Sequence, residues 1–343
     1  MQISELVAEA AALGASDIHL ICGLPPKCRV DGTLRNLEET CLTDALCTDL
    51  AEQMAGELPA AGELDLAETY GGIRVRINLF RQQTHFSASI RLLNNQIPAL
   101  ESLGLPPAVA GLTELPRGIV LVTGETGSGK STTLAAMIDS INHSRAAHII
   151  TLEDPIEYVY TPDRCIFNQR EIGRDTASYA SGLRAALRED PDIMLVGEMR
   201  DLDTIETALT AAETGHLVLT TLHTGSAADA IDRMVDVFPA ERQKQIRLQL
   251  SMTLQAVLSQ QLLPHRKGSG RVAACELMLV NAAIRNLIRE GKTPQIGNVI
   301  TTTGQEGAIT MDNALLRLCR ENKITSGAAK SAARDPEYLR KNL

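Results

Sequence analysis

The chain has 343 residues, enough for two domains, and its 44% hydrophobic and 22% charged residues predict a soluble globular protein. Aromatic residues make up only 3%, with no Trp, and the net charge is −9, which together argue against a stacking platform or basic track for nucleic acid. The seven cysteines include no C-x-x-C pair, so neither a zinc knuckle nor a redox motif is supported, and they read as reduced thiols of a cytosolic protein.

The first residues mix acids with apolar side chains and lack a basic leader, so they do not read as a signal peptide. No stretch reaches the ~18–20 apolar residues of a membrane span, so any work at a membrane is expected to go through partners. Ile3, Leu6, Val7, Ala10 and Leu13 share one face of a helix over about 2–13, and Gly14 ends it. "SDIHLI" and the pair "PKCRV" and "TLRNL" are predicted strands, the pair joined at the hairpin signal Asp31-Gly32. A helix near 43–56 follows. In "GGIRVRINLFRQQTHFSASIRLL", Ile73, Val75, Ile77 and Leu79 alternate with Arg74, Arg76, Asn78 and Phe80, which predicts a half-buried strand with arginines on one face. Residues 1–97 therefore read as a small α/β domain, and 98–112, with three prolines and two glycines, as a linker. From 113 to 263 strands and helices alternate, the mark of a parallel sheet with crossover helices, and 264–343 reads as mostly helical.

The strongest signal lies in "GIVLVTGETGSGKSTTLAAMIDSIN", where an apolar strand enters Gly124-Glu125-Thr126-Gly127-Ser128-Gly129-Lys130-Ser131-Thr132 and a helix follows. Glycines let backbone N–H groups turn inward around phosphates, the helix N-terminus adds partial positive charge, Lys130 reaches the terminal phosphates, and the Ser131 hydroxyl can ligate magnesium. A merely structural turn explains the Lys-Ser pair poorly. Three further strands end in chemistry-bearing residues. "HIITLEDP" ends in Glu153 and Asp154, "DIMLVGE" in Glu198, and "LVLTTLH" in His223. In such sheets ligands bind at the carboxyl ends of the strands.

The position after the "IMLV" run is Gly197, where P-loop hydrolases often keep an acid for magnesium. Glu198 can instead orient the attacking water, with Ser131 and Glu153 or Asp154 supplying the magnesium shell. His216 falls at the opposite end of its strand from His223, and a structural role is as plausible there as a functional one. Candidates for a charge-stabilising arginine are Arg74, Arg76, Arg81 and Arg91 in the first domain, or Arg184, Arg188 and Arg200 in the core.

"SDIHL", "RVDGTL", "TGSGKSTTLAAMIDSIN", "EDPIEY", "ALREDPDIMLVGEMRD", "TAAETGHLVLTTLHT" and "AIRNLIREGKTPQI" together resemble the type IV pilus retraction ATPases of the secretion ATPase superfamily, nearly end to end. The resemblance implies an α/β protein with a PAS-like N-terminal domain, a RecA-like P-loop ATPase core and a helical C-terminal part. It implies a homohexamer using ATP and Mg2+ at the cytoplasmic face of the inner membrane, with nucleotide held between the two domains. It also implies action on an inner-membrane pilus platform protein, with the extension ATPase as a further candidate partner. Glu198 matches the family's catalytic glutamate, Glu153 and Asp154 its acidic box, and 215–223 its histidine box. Arg76 and Arg81 resemble arginines that the family brings to the phosphates. Glu125 departs from the family's usual proline and is expected to point outward, with a lowered nucleotide affinity. Rival readings are an extension or type II secretion motor, a nucleotide-gated assembly factor without turnover, and a DNA translocase. The composition disfavours the last of these.

Overall fold

The computed structural model describes residues 1–58, 62–93, 96–268 and 270–343. These form two compact units, one of Met1–Gln96 with Pro155–Val159 and one of Ile97–Asp154 with Tyr160–Leu343.

The first unit contains α1 (Ile3–Ala12), β1 (Asp17–Leu20), β2 (Lys27–Val30), β3 (Thr33–Asn36), α2 (Asp44–Ala55), β4 (Glu63–Tyr70), β5 (Ile73–Gln82) and β6 (His85–Leu92). Its sheet runs β3-β2-β1-β6-β5-β4, antiparallel at every pair. Ile3, Leu6, Val7 and Ala10 of α1 are buried as the periodicity predicts, whereas Leu13 lies past the last helical residue and is 50% exposed. Asp31 and Gly32 both have positive φ, the requirement of a tight hairpin turn. The stretch read as one strand over 73–92 is a hairpin, turning at Gln83 and Thr84 with φ of 48° and 71°. No Gly or Asn announces that turn; the long β5–β6 pairing imposes the unusual backbone on it. Arg74 does not lie open on the strand face: it is buried, and its Nε and Nη2 donate to the Ile156 carbonyl at 3.2 and 3.1 Å.

The second unit opens with a 3-10 turn (Leu100–Leu103) and α3 (Ala108–Leu112), which bury Leu100, Val109 and Leu112, so 98–112 is folded rather than extended. It continues through β7 (Gly118–Thr123), α4 (Lys130–Ser144), β8 (His148–Glu153), β9 (Ile166–Glu171), α5 (Tyr179–Ala186), β10 (Ile193–Val196), α6 (Leu202–Glu213), β11 (Leu217–Leu222), α7 (Ala227–Asp236), α8 (Ala240–Thr253) and β12 (Leu254–Pro264). β13 (Arg271–Leu279), α9 (Ala282–Glu290), α10 (Ile296–Thr302), α11 (Met311–Arg320), α12 (Ser326–Ala332) and α13 (Pro336–Asn342) complete it. The sheet order is β13-β12-β7-β11-β10-β8-β9, parallel throughout except for the β12–β13 pair. Every residue of β7, β10 and β11 is buried, as expected of central strands covered on both faces.

β13 corrects the helical reading of 264 onward. Its run "RVAACELML" is apolar enough for a buried element of either kind, and only pairing with β12 over Ala256–Pro264 decides for a strand.

The "AIRNLIRE" helix, α9, buries Ile284 and Ile288. Arg289 and Glu290 are exposed, whereas Arg285 is half-buried and hydrogen-bonded. Its Nη1 donates to the carbonyls of Ser251 and Met252 at 2.7 and 3.2 Å, and its Nη2 to Gln255 Oε1 at 3.1 Å. It thereby caps the carboxyl end of α8. Burial lowers its guanidinium below the usual value, a cost the carbonyls offset. Arg285→Ala is expected to destabilise this unit by about 2 kcal/mol, because charged hydrogen bonds are lost and carbonyls orphaned. Thermal melting checks this, and an unchanged Tm would contradict it.

Candidate active site

Four adjacent parallel strands, β7, β11, β10 and β8, end on one edge of the second unit's sheet, and each delivers one part of the site. β7 runs directly into the glycine-rich loop. Gly124, Gly127 and Gly129 have φ of 147°, 78° and 93°, a region that side chains with a Cβ avoid. Gly124 also lacks space, since a Cβ there would lie 2.4 Å from the Gln260 carbonyl oxygen and 2.5 Å from Ser128 Oγ. Lys130 opens α4 and is buried, and its Nζ donates to the carbonyls of Gly124 at 2.8 Å and Glu125 at 3.0 Å. The ammonium therefore lies in the curl of the loop. Ser128 Oγ is buried with no hydrogen-bond partner among the described residues, so the loop holds a polar atom suited to an external group. Glu125, Thr126 and Gly127 are exposed, as is Ser131; Thr132 is half-buried.

β10 continues past Val196 without breaking from its neighbours. The Gly197 amide donates to the Leu152 carbonyl at 2.8 Å, its carbonyl accepts from Thr221 Oγ1 at 2.5 Å, and the Met199 amide donates to the Thr221 carbonyl at 3.3 Å. Glu198 is thus held between two fixed peptide units. Its Oε2 lies 2.7 Å from Arg200 Nη2 and 3.5 Å from His223 Nε2. Burial disfavours ionising this carboxyl, but the Arg200 hydrogen bond and the electrostatic influence of the neighbouring His223, Arg200 and Lys130 outweigh it and hold it below the ordinary carboxylate range. Glu198 is therefore an ionised acceptor, able to orient a water or accept its proton.

The sequence leaves Gly197 unexplained; the structure accounts for it. A Cβ at 197 would sit 2.8 Å from Tyr179 Oη and 3.2 Å from the Leu152 carbonyl oxygen. The Tyr179 phenol fills the space that a side chain at 197 would take. Burial pushes the Tyr179 hydroxyl up, and the negative charges of Asp154, Glu198 and Glu153 push it further, so it stays protonated. Tyr179 is fixed at the first turn of α5 by the reciprocal Ser178–Ser181 cap. No spacing rule points to it, because it reaches the strand ends from a separate helix.

At the end of β8, Glu153 Oε1 accepts from Thr151 Oγ1 at 2.7 Å and Gln169 Nε2 at 3.3 Å, and Asp154 is exposed. His223 follows β11 and is 41% exposed on its side chain. His216 lies at the other end of that strand, where its Nδ1 is 2.9 Å from the Ala211 carbonyl and 3.2 Å from Thr214 Oγ1. It belongs to the carboxyl end of α6 and not to the site. Arg184 on α5 and Arg188 just past its end are exposed, and Arg188 donates to the Arg184 carbonyl at 3.0 Å. In the first unit, Arg81 stacks over Phe86 at 4.1 Å and donates to the Thr84 carbonyl at 3.2 Å; Arg91 pairs with Asp17 at 3.1 Å; Arg76 is exposed.

A phosphate-cradling loop on a central parallel strand, with acids at the neighbouring strand ends, defines the P-loop nucleotide-binding class of α/β protein. The chain belongs to the Type II/IV secretion system protein family, whose model matches residues 1–313. It is 48% identical over 343 residues to the type IV pilus retraction ATPase PilT of Pseudomonas aeruginosa, covering 98% of this chain and 99% of that one. It is 51% identical over 266 residues to a twitching motility protein of Neisseria gonorrhoeae, covering 78% of this chain and 71% of that one. Among solved structures, the pilus retraction motor PilT with bound ADP superposes with a TM-score of 0.91 at 46% identity, covering 99% of each chain.

Proposed function

We propose that this chain is an ATP-hydrolysing motor that powers type IV pilus retraction. The observation that carries the reading is Glu198, ionised at the end of β10 beside His223 and under the influence of the Lys130 ammonium, within a chain that matches a retraction ATPase from end to end. An acid in that state, next to a phosphate cradle, is what turnover requires and mere nucleotide gating does not.

The geometry supports the following roles. The loop amides after Gly124 (whose own amide donates to the Leu222 carbonyl at 3.3 Å) and the Lys130 ammonium bind the phosphates, and release of Nζ from the carbonyls of Gly124 and Glu125 accompanies that binding. Glu198 orients the attacking water and takes its proton, while His223, 3.5 Å away, keeps the carboxylate aimed. The donors present are hard oxygens, the Ser131 hydroxyl and the Glu153 and Asp154 carboxylates, which suit magnesium held partly through water. When bound, that ion neutralises charge on the terminal phosphates. Arg76, exposed on β5, is a better candidate for a phosphate contact than Arg81, which is engaged with Phe86 and Thr84.

The wider assignment rests on the resemblance. It comprises a PAS-like domain over 1–97, a RecA-like core over 113–263 preceded by the folded segment 98–112, and a C-terminal region over 264–343. The working form is a homohexamer bound to a platform protein at the inner face of the cytoplasmic membrane. No helix among the described residues is long and apolar enough to cross a membrane. Deletion of the gene in its source organism is expected to leave abundant surface pili that do not retract. Loss of pili on deletion would identify an assembly motor instead and overturn the reading.

A further inference from the structure

The loop that carries His223 is gripped from behind by an ion pair between the buried Glu276 and the exposed Arg334, for which the chemistry above has no use. Glu276 on β13 is 4% exposed, and both of its carboxylate oxygens are engaged. Oε1 accepts from the Ala227 amide at the start of α7 at 3.0 Å, and Oε2 accepts from Arg334 Nη1 at 2.9 Å. Arg334 Nη2 donates to the Gly225 carbonyl. The main chain of Arg334 is fixed in turn, since its amide and that of Asp335 donate to the two carboxylate oxygens of Asp312 at 2.9 and 3.1 Å. Ser226, between the two gripped residues, caps α7 by accepting from the Asp229 amide at 2.9 Å.

We propose that Glu276 and Arg334 are positioning residues for ATP hydrolysis, holding residues 223–227 so that His223 stays on Glu198. This rests on the reading of Glu198 as the acid that orients water. A buried carboxylate is costly unless all its hydrogen bonds are made, and an apolar residue would fill the same space at no such cost. What the pair supplies is direction. One guanidinium fixes a carboxylate and a backbone carbonyl at once, a geometry that a lysine ammonium does not reproduce. Arg334 lies beyond residue 313, where the family match ends, so the junction of α12 and α13 reaches the site through it.

The test uses the full-length protein. Arg334→Ala is expected to lower kcat about 10-fold while KM for ATP and the ADP dissociation constant change less than about twofold, with Arg334→Lys restoring only part of the loss. Amide hydrogen exchange across 224–227 is expected to rise at least about 10-fold in Arg334→Ala, with the melting transition retained. Glu276→Gln, which keeps an acceptor for the Ala227 amide, is expected to shift kcat and exchange in the same direction. In a His223→Ala background, Arg334→Ala is expected to cost less than about twofold more, because the loop no longer carries its reactive group. Unchanged exchange or unchanged kcat in Arg334→Ala overturns the proposal. So does a full multiplicative loss in the His223→Ala background, or a His223→Ala variant with wild-type turnover. Full turnover by Glu198→Gln would instead overturn the underlying reading, and it is recognised separately because it leaves the exchange result intact.

Discussion

Glu198→Gln is expected to lower steady-state ATP hydrolysis by at least about 100-fold and to leave ADP binding within about twofold of the native protein. The amide has the volume of the carboxylate and can keep one contact to Arg200, so the phosphate loop, on a different strand, is undisturbed. What it loses is the negative charge that orients the attacking water and the acceptor for its proton. The pH dependence carries the same assignment. The Glu198 carboxyl is held below its ordinary value of 4.5, so it remains ionised through the neutral range, and its acid limb of activity falls below that pH. Being depressed in the folded protein, it contributes stability that is present above the unfolded value and lost as pH falls through the folded one. Isotope-free phosphate release and equilibrium ADP titration of the two proteins decide the matter. Hydrolysis persisting in Glu198→Gln would remove Glu198 from the mechanism and revive the reading of a nucleotide-gated assembly factor.

Most of what the sequence disclosed was local. The phosphate loop is contiguous, its strand and helix flank it, and its glycines are imposed by positive φ within the loop itself. The acids and the histidine at the strand ends could be placed because a parallel sheet presents successive strand ends on one edge. What stayed hidden depends on partners distant in the chain. The role of Arg285 is not legible within α9 because its acceptors, the last carbonyls of α8, lie about thirty residues earlier. β13 looked helical because its strand nature resides in β12. The turn at Gln83 and Thr84 carries no turn residue, so two paired strands read as one. Tyr179 was missed altogether, and with it the reason for Gly197, since nothing in a short window links residues on α5 and β10.

That link gives the second large expectation. Gly197→Asp, which restores the acid of a conventional P-loop site, is expected to lower ATP hydrolysis at least about 10-fold and to destabilise the protein by about 2 kcal/mol. The Cβ alone would press to 2.8 Å from Tyr179 Oη and 3.2 Å from the Leu152 carbonyl oxygen, and the backbone there is pinned to both neighbouring strands. The Leu152 carbonyl has no freedom to yield, so the phenol must move, and α5, capped at Ser178, resists that movement. The new carboxylate would also join Glu198, Glu153 and Asp154 in one small space, where like charges disfavour ionisation and raise the Glu198 carboxyl toward the range in which it fails as an acceptor. Excess magnesium should not restore turnover, because the deficit lies in packing and in the charge state of Glu198. The steric part can be isolated. Gly197→Ala adds the Cβ without a charge, and pairing it with Tyr179→Phe removes the hydroxyl it strikes. The double variant is expected to recover most of the melting temperature that Gly197→Ala loses, a coupling that independent sites would not show. Turnover by Gly197→Asp equal to or above the native rate would mean that the glycine is a dispensable vestige; the crowding around Tyr179 argues that it is the form this site requires.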